Sequence, residues 1–98
     1  MNELVFARQA LADLQRLTDF LLESDPHAAH KTVAVIFDAL QVLEHSPDIG
    51  RKVRSGMREL VISRGRTGYL ALYRFFPIQQ KVLVLALRHQ REAGYTST

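Results

Sequence analysis

The sequence contains no cysteine and no tryptophan, and its longest uninterrupted apolar run is six residues. The missing cysteines remove disulfide frameworks, thiolate zinc sites and thiol nucleophiles from consideration. Six residues fall far below the roughly twenty that a bilayer-crossing helix needs, so no membrane partner is expected. Met1-Asn2-Glu3-Leu4-Val5-Phe6 lacks the basic start and long apolar stretch of a secretory leader. That argues against export and for a cytoplasmic protein. With 98 residues, 47% apolar and 23% charged, the chain fits one globular domain over 1–98 with a single hydrophobic core.

Acidic residues are also scarce in one half. Residues 51–98 hold ten Lys or Arg against Glu59 and Glu92, a net of +8. Residues 1–50 hold Arg8, Arg16 and Lys31 against eight Asp or Glu, a net of −5. The overall +3 therefore conceals a dipolar molecule whose second half should meet polyanions or an acidic protein segment.

What is present reads as helices first and strands after, an α+β pattern. Leu4-Val5-Phe6 predicts a short opening strand. From Arg8 to Glu23, Leu11, Leu14, Leu17, Thr18 and Leu21 recur at helical spacing, with Ala7 and Ala10 on the same side and Asp13, Arg16 and Glu23 opposite. Ser24-Asp25-Pro26 marks a new helix start, with Asp25 as N-cap and Pro26 in the first turn. The second helix is predicted to run to about His45, with Ala29, Val33, Ile36, Leu40 and Leu43 in one arc and Phe37 beside it. The short link makes the two helices an antiparallel hairpin.

After Ser46-Pro47, residues 48–56 read as a basic loop. Three strands follow at Met57–Ser63, Thr67–Phe76 and Lys81–His89, joined by Arg64-Gly65-Arg66 and Pro77-Ile78-Gln79-Gln80. Such short connections predict a three-stranded antiparallel sheet. In the last strand, Leu83, Leu85 and Leu87 alternate with Val82, Val84, Ala86 and Arg88. Placing the leucines on the helices would leave the second face open and edged with cations. The strand runs directly into Arg88-His89-Gln90-Arg91-Glu92-Ala93-Gly94-Tyr95, which presents polar and cationic groups at a sheet end.

Several features have ordinary explanations. His27 and His30 are three apart on a helix, but no third metal ligand accompanies them, and a solvent-facing pair is expected. His45 suits the negative end of a helix. Tyr69, Tyr73, Phe75 and Phe76 resemble a base-stacking platform, yet a strand packed on helices needs them as core. No metal site, cofactor or catalytic residue is assigned.

The order and motifs resemble the RelE/ParE superfamily of small bacterial toxins. The likeness is carried by Pro26-His27-Ala28-Ala29, Pro47-Asp48-Ile49-Gly50-Arg51-Lys52-Val53, Arg58-Glu59-Leu60, Gly68-Tyr69-Leu70-Ala71-Leu72-Tyr73-Arg74 and the Arg88-His89-Gln90-Arg91-Glu92 tail. The resemblance implies one of two activities. RelE-like toxins are metal-independent endoribonucleases that cut messenger RNA in the ribosome, with basic residues on the strand after the hairpin and an Arg after the next strand's Gly-Tyr. Here Glu59 and Val61 stand near the first positions, and Leu70 follows Gly68-Tyr69. ParE-like toxins inhibit DNA gyrase and need no catalytic constellation. The resemblance is closer to that branch, with the ribosome-dependent nuclease as the alternative.

On the ParE-like reading the toxic surface comprises Arg64, Arg66, Arg88, His89, Arg91 and Tyr95. The implied partners are DNA gyrase and a cognate antitoxin with an acidic, flexible C-terminal segment, which connects the toxin to operator DNA only indirectly. Phe20, Val35 and Val42, displaced from the core arcs, join Arg58, Arg74 and Arg88 as the expected antitoxin-binding residues. A third reading, a small nucleic-acid-binding module without toxicity, fits the basic half less well, because the helices are the acidic part.

Overall fold

The computed structural model describes residues 1–63 and 68–96. Strand β1 (Glu3–Phe6) leads into helices α1 (Arg8–Ser24) and α2 (Pro26–Gln41), and a 3-10 turn at Val42–Glu44 extends the second helix. Then come β2 (Arg51–Lys52), a 3-10 turn at Arg54–Gly56, β3 (Arg58–Ile62), β4 (Tyr69–Phe76) and β5 (Lys81–His89). The helix break lies where the sequence puts it. The Asp25 side chain accepts the Ala28 amide at 3.2 Å, and Pro26 occupies the first turn of α2.

The sheet is larger than the three strands expected. Five strands stand in the order β1-β5-β4-β3-β2. The opening strand pairs in parallel with β5, Leu4 beside Val82 and Phe6 beside Val84, and β2 adds a two-residue edge to β3. The remaining pairs are antiparallel. The helical hairpin covers one face, and its Ala10, Leu17, Ile36, Leu40 and Leu43 share one buried cluster with Leu60, Ile62, Tyr69, Ala71, Tyr73, Val82, Val84 and Leu87. Tyr69 and Tyr73 are thus core, as strand alternation requires.

Two packing expectations are corrected. The leucines of β5 do not form the helix-facing row, because the strand bulges: Leu72 pairs with Ala86 but Tyr73 with Val84, leaving Leu85 as the extra residue. One inserted residue reverses the alternation. Val82 and Val84 before the bulge, and Leu87 after it, turn to the helices, whereas Leu83 and Leu85 are only half-buried. On α1, Leu11 is exposed and Asp13 is buried, the reverse of the expected faces. The Asp13 carboxylate accepts the Leu87 amide at 2.9 Å and the Gln9 side-chain amide at 2.8 Å, satisfying a β5 amide that lies beyond the last β1 pair, Phe6 with Val84. Among the described residues no helix is long and apolar enough to cross a membrane.

Candidate functional site

The face of the sheet away from the helices carries the positions that the sequence singled out. Register places Arg88, Leu70 and Val61 side by side across β5, β4 and β3, with Ala86, Leu72, Glu59 and Arg51 in the neighbouring row. Leu70 is buried and Val61 is exposed, so this stretch of the face is aliphatic.

Glu59 lies at its centre, only 5% exposed. Arg51 reaches one carboxylate oxygen with Nε at 3.0 Å and Nη2 at 2.5 Å, and the Tyr95 hydroxyl donates to the other at 2.6 Å. Burial pushes the Glu59 carboxyl up. The bonds from Tyr95 and Arg51 and the charges of Arg51 and Arg88 outweigh it and hold the group below its ordinary 4.5. The Tyr95 phenol is pushed well above its ordinary value, by burial first and then by its bond to the Glu59 carboxylate and that group's charge.

Tyr95 arrives there because the chain turns back after β5. Glu92 accepts the His89 amide at 2.8 Å, and the Glu92 amide donates to the His89 carbonyl at 3.0 Å. Arg88 Nη1 donates to the Glu92 carbonyl at 2.8 Å, and its guanidinium stands 5.1 Å from the centre of the Tyr95 ring. The returning segment thereby covers part of the far face. Beside Tyr95 remains a cavity of about 130 Å³ lined by Val53, Arg54, Met57, Glu59, Leu72 and Tyr95.

The turn also divides the expected toxic surface. Arg88 and Tyr95 lie on the far face. His89 stands edge-to-face against Tyr69, ring centres 5.1 Å apart, and with Arg91 lines an open groove of about 690 Å³ on the helix side. Leu17, Phe20 and Leu21 form the groove's apolar wall, and Arg16 bridges to Glu92 at 2.5 Å. Arg64 and Arg66 lie outside the described residues.

The residues expected to bind the antitoxin do not form one patch either. Phe20, Val35 and Val42 are exposed on the helical layer, at 73%, 39% and 46%. Arg58 is instead tied down at the base of the 48–50 loop, donating to the Asp48 and Gly50 carbonyls at 3.0 and 2.8 Å. Arg74 comes from β4 and lies against the 54–56 turn, within 3.2 Å of where a Cβ on Gly56 would sit.

Sequence reasoning missed the roles of Asp13, Arg16, Arg51 and Glu92. Glu92 had a local clue, standing three residues after His89 in a stretch that must turn. Arg51 and Glu59 are eight apart and meet only through the β2–β3 pairing. Chemically, the far face offers a carboxylate whose oxygens are already engaged, with Arg51 paired to it, Arg88 held by the Glu92 carbonyl and Arg74 of β4 turned toward the 54–56 turn. Among the described residues, no cluster of His, Asp or Glu could hold a metal ion.

A family model of the ParE toxin of type II toxin–antitoxin systems (parDE) matches residues 4–94. The chain is 33% identical over 92 residues to "Toxin RelE3" of Caulobacter vibrioides, covering 94% of this chain and 98% of that protein. In fold it is similar to a toxin–antitoxin structure titled "Chromosomal ParDE TA system from P. aeruginosa", with TM-score 0.74, 24% identity and 91% and 96% of the two chains covered. It is also similar to the RelBE2 toxin–antitoxin complex of Mycobacterium tuberculosis, with TM-score 0.60, 23% identity and 93% of each chain covered.

Proposed function

The chain belongs to the ParE toxin family of type II toxin–antitoxin systems, and we propose that it acts by inhibiting DNA gyrase rather than by cutting RNA. The observation that carries this reading is the composition of the far sheet face. Cleaving a phosphodiester without a metal needs cations aimed at the transition-state oxygens, together with a proton acceptor and donor. The row Arg88, Leu70, Val61 supplies one cation, which is already committed to the Glu92 carbonyl and the Tyr95 ring. Glu59 is a poor base because its charged form is stabilised on both oxygens. His89 is on the opposite side of the sheet, within the helix-side groove.

A toxin that binds its target as a protein surface needs none of this chemistry. In this reading Arg91, exposed beside the apolar groove, contributes to the gyrase contact, while Arg88 and Tyr95 hold the C-terminal segment in place. The partner that neutralises the toxin is an antitoxin. Its flexible segment packs on the helical layer, where Phe20, Val35 and Val42 are exposed, and its other domain connects the complex to operator DNA.

Because relatives in Caulobacter vibrioides carry the names RelE3 and RelE1, the test must separate the two activities. Induction of the toxin in cells should yield linearised or cleaved chromosomal and plasmid DNA trapped with gyrase. Primer extension on translated messages should show no new codon-positioned ends. Such ends, with DNA topology unchanged, would assign the ribonuclease activity instead.

A further inference from the structure

The β2 edge holds a concentration of charge that the gyrase reading does not use. Residues 48–59 contain Arg51, Lys52, Arg54 and Arg58 against Asp48 and Glu59, and Arg74 joins them from β4. Both carboxylates are committed, Glu59 to Arg51 and Asp48 to Arg58 at 3.5 Å. Among the described residues nothing pairs with the side chains of Lys52, Arg54 or Arg74. Lys52 and Arg54 are exposed on the outermost strand and the turn after it, and Arg74 reaches that turn beneath Gly56. Ser55 and Gly56, at φ 59° and 73°, fold the chain back there and bring Gly56 against the Arg74 guanidinium.

From these observations we propose that Lys52, Arg54 and Arg74 seat the phosphate backbone of duplex DNA along the β2 edge. The inference goes beyond the gyrase reading and does not depend on it. Two features favour a duplex over other polyanions. A protein partner is met by an apolar centre with charge at its margin, and of the exposed large apolar residues among those described, five (Leu11, Phe20, Leu22, Val35 and Val42) lie on the helical layer, while only Ile49 and Val61 stand near this edge. Single strands are held by bases stacking on aromatic rings. Tyr95, whose ring shares a cavity with Val53 and Arg54, is already occupied by Glu59 and Arg88. What the edge offers is uncompensated positive charge at Lys52 and Arg54, with Arg74 brought to the same turn from β4, the requirement for sequence-independent phosphate contact.

The test is fluorescence anisotropy of a labelled random-sequence duplex with the purified full chain, in the absence of gyrase and antitoxin. Three phosphate contacts, at about −0.9 each in the log–log salt slope, should weaken binding roughly fortyfold between about 50 and 200 mM salt. The Lys52→Gln, Arg54→Gln, Arg74→Gln triple variant should bind the duplex at least roughly tenfold more weakly at the lower salt and lose most of that slope. An Arg8→Gln, Lys31→Gln control, on the helices, should match the parent. Lys52→Gln with Arg54→Gln, both on exposed positions, serves should the half-buried Arg74 be needed for folding. Wild-type affinity in the triple variant, failure of the parent to bind duplex, or tighter binding of single-stranded RNA through the same residues would each overturn the proposal. Gyrase inhibition measured in parallel reports on the other reading alone, so the two can fail separately.

Discussion

The Tyr95 hydroxyl donates to the Glu59 carboxylate at 2.6 Å, joining the end of the described chain to the centre of the sheet across 36 residues. This bond and the Arg51 pair keep a buried carboxylate ionised, and they fasten a segment that has no regular secondary structure.

Replacing Tyr95 by Phe keeps the ring beside Arg88 and removes only the donor. A hydrogen bond to a charged group contributes about 1.5–3 kcal/mol, and the partial exposure of Tyr95 puts the expected loss at about 1–2 kcal/mol. Amide exchange should accelerate in residues 92–96 while α1 and β4 stay protected. Unchanged exchange there would mean that the bond does not hold the segment.

The Glu59 carboxyl is held below its ordinary 4.5 in the folded state, so its stabilising contribution is complete above that value. It disappears as pH falls through the folded-state value, because the unfolded chain then binds the proton more readily. Urea denaturation across this acid range should show stability declining in the parent. Glu59→Gln should decline less steeply. Parallel curves would remove Glu59 as a source of the acid dependence.

How much of this could be read from the sequence depended on the range of the contacts. The helix boundary at Asp25-Pro26, the apolar arc of α2 and the strands after Pro47 rest on neighbours in sequence, and they stand where periodicity puts them. The β5 bulge does not announce itself, because Val82 to Leu87 is apolar on both faces and alternation within it has no preferred phase. Asp13, which by composition belongs on a solvated face, is drawn in by the Leu87 amide 74 residues away. The β2 edge and the return of Tyr95 depend on partners eight and 36 residues away, beyond any local pattern. The candidate site was therefore legible in its residues more than in its grouping: Arg88 and Tyr95 were placed with His89 and Arg91, and the turn at the end of β5 separates them.

Asp13→Ala would leave the Leu87 amide unpaired inside the fold and Arg16 without its partner on the helix. The expected cost is about 2–4 kcal/mol, the range for breaking a buried charged network. Asp13→Asn, which retains an acceptor for Leu87, should lose less. Equal denaturation midpoints for parent and Asp13→Ala would contradict the role given to the Asp13–Leu87 bond.

Gly50 is required by close approach. Its amide donates to the Tyr73 hydroxyl at 2.9 Å, that hydroxyl donates to the Pro47 carbonyl at 2.6 Å, and an added Cβ would stand 2.6 Å from the Tyr73 oxygen. Gly50→Ala should therefore destabilise by about 1–3 kcal/mol through overpacking. Calorimetric melting of the purified variant provides the comparison, and a melting temperature equal to the parent's would refute the contact.

The paired arginines of the tail should separate on substitution. Arg91→Ala removes an exposed side chain and should change stability by less than about 0.5 kcal/mol. Arg88→Ala removes a half-buried one bound to Glu92 and Tyr95 and should cost about 1–2 kcal/mol. Growth arrest should weaken in Arg91→Ala despite its intact fold. Full toxicity in that variant would move the target contact elsewhere.

The most direct measurement adds the purified toxin to purified DNA gyrase and relaxed plasmid with ATP. Supercoiling should be lost and cleaved DNA bound to gyrase should accumulate, with both effects abolished by antitoxin. Undiminished supercoiling at saturating toxin, in a preparation that cuts messenger RNA in programmed ribosomes, would contradict the gyrase reading.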